Sequence, residues 1–324
     1  MSTTDRPALG IALICLGVTA ISVNDVLIKG LSGAYPLHQI VGIRSAIGLA
    51  ITLVILQFEG GWARLKTSTP GLHLMRGLLV VSANMTFYAA VAVLPLAQAT
   101  ALFFVAPLFI TLLSIPILRE TVGPVRLFAV LAGFSGVALM QVPGSAVAAD
   151  VPRVTYLLPV VAAFLYAMLQ VLTRKLGATA PAAALAVYIQ TTFLAVSMLF
   201  FLIAGSGRFA DGFESDSLVF LLRAWVWPAT GDITVFAGLG LASGLVGYCL
   251  SAAYRLANAS IIAPFEYLGL PLAILWGWIF FAEWPVLPTW IGSAIIIGAG
   301  LTVFLRERAK ARPVTPPRGR GRLR

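Results

Sequence analysis

Long runs with almost no polar residue in them constrain this chain more than any other feature. Leu9–Val23 and Ile291–Leu305 are apolar nearly throughout. A bilayer core is about 30 Å thick, so a helix needs about 20 mostly apolar residues to cross it. Stretches of that kind lie at 8–29, 37–57, 73–93, 97–117, 124–142, 155–174, 183–204, 232–254, 258–280 and 288–305. Strands of a membrane barrel would alternate polar and apolar residues instead. The runs therefore predict an all-α integral membrane protein with ten transmembrane helices. Composition agrees, with 10% charged residues, 60% hydrophobic residues and a mean hydropathy of +0.96. A soluble domain carries about 25% charge, so this chain cannot build a water-facing surface all round.

Several function classes fall away at once. The two cysteines, Cys15 and Cys249, lie inside apolar runs and read as small core residues, and a count of two excludes a disulfide scaffold. Arg6 is balanced by Asp5 and no small-residue cleavage site follows, so the first run reads as a retained helix and not a signal peptide. The net charge of +10 is no sign of a nucleic-acid partner. Eight of the 22 basic residues fall in the last nineteen positions, 306–324. A basic tail directly after a final span reads as a cytoplasmic segment touching anionic lipid.

Lysine and arginine also set the orientation. With the N-terminus inside, the inner side collects seventeen of the 22 basic residues. Four lie outside and Arg44 lies within a span; without the tail the balance is still nine to four. Both termini are expected in the cytoplasm. The longest connection, 205–231, is then external, acidic at Asp211, Glu214 and Asp216, with Trp225 and Trp227 marking an interfacial aromatic belt. A lid is the alternative use of that segment.

An internal repeat carries the functional argument. Leu96–Thr100 matches Leu256–Ser260 at an offset of 160, and Leu118-Arg119-Glu120 matches Phe281-Ala282-Glu283 at an offset of 163. Pro36 and Pro181, 145 apart, each precede a span. Residues 8–142 and 155–305 thus read as two copies of one five-helix unit, with 306–324 as the tail. Five is odd, so the second copy enters the membrane from the opposite side. Inverted repeats of this kind hold a binding site near the midplane, between the halves. The alternative is chance similarity between apolar runs.

The ordered motifs along the chain are Asn24-Asp25-Val26-Leu27-Ile28-Lys29, Arg44, His73-Leu74-Met75-Arg76-Gly77, Phe87-Tyr88-Ala89, Leu94-Pro95-Leu96-Ala97, Pro107-Leu108-Phe109 and Arg119-Glu120. The second half supplies Tyr254-Arg255 through Pro264-Phe265-Glu266-Tyr267 and then Phe280-Phe281-Ala282-Glu283. In order and spacing the chain resembles the drug/metabolite transporter superfamily, in its EamA-type ten-helix branch, over about residues 8–308. The resemblance implies a secondary transporter in a bacterial inner membrane, moving a small polar or aromatic metabolite by alternating access and needing no cofactor. The subgroup is similar to carriers for riboflavin, S-adenosylmethionine and amino acids. It often has an acidic side chain near Pro264, a place filled here by Glu266. Substrate, direction and coupling ion stay open, as does oligomeric state, a homodimer among the options. The partners it implies are a small molecule and membrane lipid.

Ionisable groups within spans are costly and therefore candidates for function. Asp25 and Arg44 fall in the same leaflet and are placed to pair, either as part of the site or as a structural ion pair. Lys29, at i+4 from Asp25, is near enough to the interface to snorkel. Glu266 has no basic residue within helical reach in sequence. It suits a proton carrier or a contact for a cationic substrate; a protonated carboxyl bonded across helices is the structural alternative. Asn84, Tyr88, Phe103, Phe104, Tyr166, Gln170, Tyr248, Tyr267 and Trp276 complete a pocket suited to a stacked ring. Gly240, Gly244 and Gly247, like Gly133 and Gly136, line helix faces for close packing. Glu120 and Glu283 read as caps at repeat ends.

Rival functions have less behind them. Gly133-Phe134-Ser135-Gly136 mimics an intramembrane protease motif, but His38 and His73 sit at span edges on opposite sides, so no nucleophile–base pair forms. The chain is not expected to be an enzyme. A lipid-linked substrate flippase would need an arginine-lined groove, and only Arg44 lies in mid-span. A channel would show rings of charge, which are absent from the sequence.

Overall fold

The computed structural model describes residues 7–119, 123–140, 151–176, 182–210, 215–256 and 263–310. Among these there is no strand. Glu120, Asp211, Glu214, the second copy of the repeated motif beyond Leu256 and the basic tail beyond Lys310 lie outside the described residues.

The first half contains α1 (Pro7–Leu31), α2 (Leu37–Phe58), α3 (Pro70–Val91), α4 (Leu96–Phe103), α5 (Ala106–Leu118) and α6 (Pro124–Met140). The second contains α7 (Leu157–Leu176), α8 (Ala182–Ala204), the short α9 (Asp216–Leu222), α10 (Ile233–Leu256), α11 (Gly269–Phe281) and α12 (Leu287–Lys310). Among the described residues, seven segments are long and apolar enough to cross a membrane, Leu96–Leu118 being one of them. Leu127–Met140, Phe265–Phe281 and Leu287–Thr302 are shorter apolar helical stretches.

Proline sets many of the boundaries. Pro36 is extended just before α2, and Pro70 opens α3, where a missing N–H costs nothing. The stretch expected as one helix over 97–117 is broken. Phe104 and Val105 separate α4 from α5, and Pro107 sits in the first turn of α5. Pro107 has no N–H to give the Phe103 carbonyl four residues back, which makes this the weak point of the span. The stretch expected over 258–280 departs from a plain helix in the same way. Its described part opens with a 3-10 turn, Ala263–Leu268, before α11.

Packing follows the small residues. A side chain at Gly240 or Gly244 of α10 would strike Ile47 or Ile51 of α2, and one at Gly247 would meet Ala186 of α8. Gly136 of α6 lies against the Gly292 carbonyl and Ile295 of α12. Thus α1 packs on α10 and α11, α2 on α8 and α10, α3 on α7 and α8, α5 on α7, and α6 on α12. The outward surface is apolar: Phe58, Phe128 and Leu202 are 88%, 73% and 77% exposed. In water such a surface would drive aggregation, and in lipid it is the solvated face. The protein is an integral membrane protein.

Candidate functional site

Two groups of polar and aromatic side chains lie inside the bundle. The first is centred on Arg44 of α2, 4% exposed. Its two terminal nitrogens donate to Asn24 Oδ1 of α1 and Asn84 Oδ1 of α3, both at 2.6 Å. The guanidinium also lies 5.5 Å from the Tyr88 ring and 5.1 Å from the Phe193 ring of α8. Asp25 does not take the arginine directly: its Oδ1 accepts from the Tyr88 hydroxyl at 2.8 Å. The expected Asp25–Arg44 pair is therefore an indirect one, because the amides of Asn24 and Asn84 fill the arginine fork first. Asn24 also donates to the Leu239 carbonyl of α10 at 3.5 Å, bringing in the second half.

The second group sits where the two broken segments meet. Phe104, in the break between α4 and α5, stands edge-to-face with Tyr267 of the 3-10 turn, ring centroids 5.3 Å apart. Glu266 precedes Tyr267 and acts electrostatically on both Tyr267 and Tyr166 of α7, and the Tyr166 phenol is hydrogen-bonded by Gln170 one turn along. Phe103 packs against Tyr166 at 5.6 Å and against Phe87 at 5.3 Å, and Phe87 packs against Tyr88 at 5.5 Å. A chain of rings thus runs from the Arg44 group to the Glu266 group. Tyr88, Phe103 and Tyr166 belong to it; Asn84 flanks it through Arg44, and Glu266 and the Phe104–Tyr267 pair stand at its other end. Trp276 instead packs against Phe280 further along α11, and no ring contact joins Tyr248 to this chain.

Sequence reading missed three features. Asn24 orients Arg44, a role that its place in the Asn24–Lys29 motif does not reveal. Lys29 does not snorkel: its side chain is 9% exposed and its Nζ lies 2.7 Å from Glu283 Oε1. Glu283 is thus an ion-pair partner as well as a helix-end residue. The segment 205–231 is sutured to the α1–α2 connection. Arg223 donates to the carbonyls of Ser32, Gly33 and Tyr35, and Gln39 exchanges two hydrogen bonds with the Val226 backbone. The Tyr35 phenol donates to Asp232 at 2.7 Å, and that carboxylate holds its pKa above the ordinary tyrosine value. Trp225 is packed on His38 and Phe201, so of the two tryptophans only Trp227, 94% exposed, is free to face lipid headgroups.

Among the described residues no cluster of His, Cys, Asp and Glu is arranged to hold a metal. Residues 8–142 match the EamA-like transporter family. The chain is 31% identical over 266 residues to a riboflavin transporter of Brucella anthropi, covering 82% of this chain and 87% of that one. It is 27% identical over 300 residues to an S-adenosylmethionine uptake transporter of Rickettsia prowazekii, covering 92% and 93%. A solved crystal structure superposes with a TM-score of 0.64 at 18% identity, covering 94% of this chain and 100% of the other. At that identity the superposition speaks for the fold alone. The identity to the Brucella protein over nearly all its length decides the assignment, and the ring-lined polar interior fits it: the chain belongs to the EamA-like transporter family.

Proposed function

We propose that the protein is a secondary transporter that carries a small planar, ring-bearing metabolite across the bacterial inner membrane by alternating access. It does so through ten crossings arranged as two inverted five-helix copies, 8–142 and 155–305, with both termini cytoplasmic.

Element boundaries support the two copies. α3 and α10 begin at 70 and 233, α5 and α11 at 106 and 269, α6 and α12 at 124 and 287, each pair 163 apart. α2 and α8 begin at 37 and 182, and α1 and α7 end at 31 and 176, each 145 apart. The step of 18 falls in the connection after α8, which carries the extra helix α9. Packing partners exchange under the same substitution. α1 on α10 becomes α7 on α3, and α2 on α10 becomes α8 on α3. Likewise α1 on α11 becomes α7 on α5, while α2–α8 and α6–α12 map onto themselves.

The observation that carries the reading is the Phe104–Tyr267 contact. These positions are themselves 163 apart, so equivalent residues of the two copies touch. Only positions beside a two-fold axis can do that. The axis then passes between the two breaks, where inverted-repeat carriers keep their substrate. Rings for stacking, with Glu266, Asp25, Arg44, Asn84 and Gln170 for orientation, suit a flat heterocycle, the chemistry shared by riboflavin and S-adenosylmethionine. A flippase for lipid-linked substrates has less support. Arg44, the only mid-span arginine, is buried and hydrogen-bonded, not open to a lateral groove.

Uptake into proteoliposomes of labelled riboflavin, S-adenosylmethionine, amino acids and purines, with and without a proton gradient, tests this. One class should be taken up and compete with itself alone. Glu266→Gln should abolish that uptake while the protein inserts normally. Full activity of the variant would remove Glu266 from the site.

A further inference from the structure

At the end of the bundle where α1 finishes, two side chains grip three chain segments. Lys29 Nζ lies 2.7 Å from Glu283 Oε1 and donates to the Leu94 carbonyl at 2.5 Å. Glu283 Oε2 accepts from the Leu96 amide at 2.9 Å, the first N–H of α4. That amide has no partner within its own helix, and a carboxylate is the group best suited to it. Glu283 is fixed in turn by its own N–H, which donates to the Gly277 carbonyl at 2.9 Å, while Lys29 also lies 5.2 Å from the Phe281 ring. Leu94–Leu96 belongs to the first half and Glu283 to the second, so the grip spans the line between them.

Just behind it the packing is incomplete in hydrogen bonds. Gln98, two residues into α4, is 1% exposed, and both its side-chain oxygen and its nitrogen lack a partner; the Thr100 hydroxyl lacks one too. A buried carboxamide with both ends unmet calls for an explanation. Among groups in a moving carrier, one explanation is water reaching it in another state.

We propose that Lys29 and Glu283 are the gate residues at this end, holding Leu94–Leu96 closed over Gln98, and that opening here means releasing the Leu96 amide and wetting Gln98. The inference rests on the alternating-access reading, which puts this end outside. Neither half of the grip is a simple surface ion pair, because each side chain also holds backbone. Exchanging the two charges would restore the ion pair but aim an ammonium at the Leu96 N–H.

The test is thiol accessibility with Gln98→Cys in a Cys15→Ala, Cys249→Ala background. A membrane-impermeant maleimide is applied to right-side-out and inside-out vesicles. With the grip intact, labelling is slow. Glu283→Gln and Lys29→Met should each raise the rate at least tenfold, from the right-side-out face. Lys29→Arg should keep it slow, and the Lys29→Glu, Glu283→Lys exchange should not. Unchanged rates from both faces in the two single variants would overturn the proposal. A second measurement replaces the grip with a covalent bridge. With Lys29→Cys and Glu283→Cys, a short bifunctional thiosulfonate should stop uptake, and reductant should restore it; undiminished uptake after cross-linking would also overturn it. Fast labelling with no uptake of any compound would leave the gate standing and count against the transport reading instead.

Discussion

The two broken segments share a frame and differ in what they hold. α5 and α11 are both 13 residues long and begin 163 apart. Each is preceded by non-α backbone and followed by a residue in the left-handed conformation, Arg119 at φ 57° and Ala282 at φ 53°. Yet the first break presents two apolar rings, Phe103 and Phe104, where the second presents Glu266 and Tyr267. The backbone geometry tolerates either chemistry, so the shared frame bears on the fold, and under the proposed transport function the difference is what bears on selectivity. One break supplies a stacking surface and the other a carboxylate and a phenol.

The largest effect should come from erasing that difference. Glu266→Phe copies the first break into the second. A charge-assisted contact is worth about 1.5–3 kcal/mol, so uptake should fall by up to ~100-fold, with membrane insertion intact. Adding Phe103→Glu returns a carboxylate to the interior at the equivalent position but should not rescue, since Phe103 packs on Phe87 and Tyr166. Rescue to more than a tenth of wild-type uptake would show that the two breaks are interchangeable.

The next effect tests the phenol that Phe104 lacks. A Cβ on Gly300 of α12 would stand 1.9 Å from the Tyr267 hydroxyl and 3.1 Å from the ring carbon bearing it. Gly300→Ala must therefore push the ring aside, a form of overpacking that costs about 1–3 kcal/mol. Uptake should drop about tenfold, in line with that cost. Combining it with Tyr267→Phe removes the clashing atom and should recover most of the thermal stability in detergent. If the double variant is no more stable than Gly300→Ala alone, Tyr267 does not point at α12.

A smaller effect is expected from the contact between the breaks. Edge-to-face pairs add about 0.5–1.5 kcal/mol beyond area burial. A cycle of Phe104→Ala, Tyr267→Ala and both together, read by thermal unfolding in detergent, should give a coupling in that range. Strict additivity would separate the two rings and remove the contact on which the two-fold reading rests.

How much of this was readable in the chain depends on distance along it. Apolar runs and the prolines that bound them are local, so Pro36, read as preceding a span, stands just before α2, and the small faces of α10 and α6 pack as their spacing suggests. The break at Phe104 was also local in cause, but Pro107 lies inside a run whose hydropathy never falls, and hydropathy masked it. Partner choice is not local. Arg44 had Asp25 as its obvious charge, and only three-dimensional placement shows that two asparagine amides reach the guanidinium first. Lys29 and Glu283 lie 254 positions apart, so neither side chain betrays the other in sequence. Aromatic and amide groups in apolar runs stand out by composition alone, whereas the partners they bond to do not.

The smallest prediction bears on the shared frame itself. Arg119 and Ala282 are the described non-glycine residues with positive φ, and their N–H groups close equivalent caps on Ser114 and Gly277. A left-handed conformation costs an L-residue about 1–2 kcal/mol, which glycine avoids. Glycine gives part of that back, about 0.5–1 kcal/mol, through its greater freedom in the unfolded chain. Arg119→Gly and Ala282→Gly should therefore each stabilise the bundle by no more than about 1 kcal/mol. Both residues are exposed, so neither change removes core packing. The gains should match, because the caps match, and should appear as equal rises in unfolding temperature with uptake unaltered. A gain at one position and a loss at the other would mean that the two helix ends share a φ value without sharing a structural role.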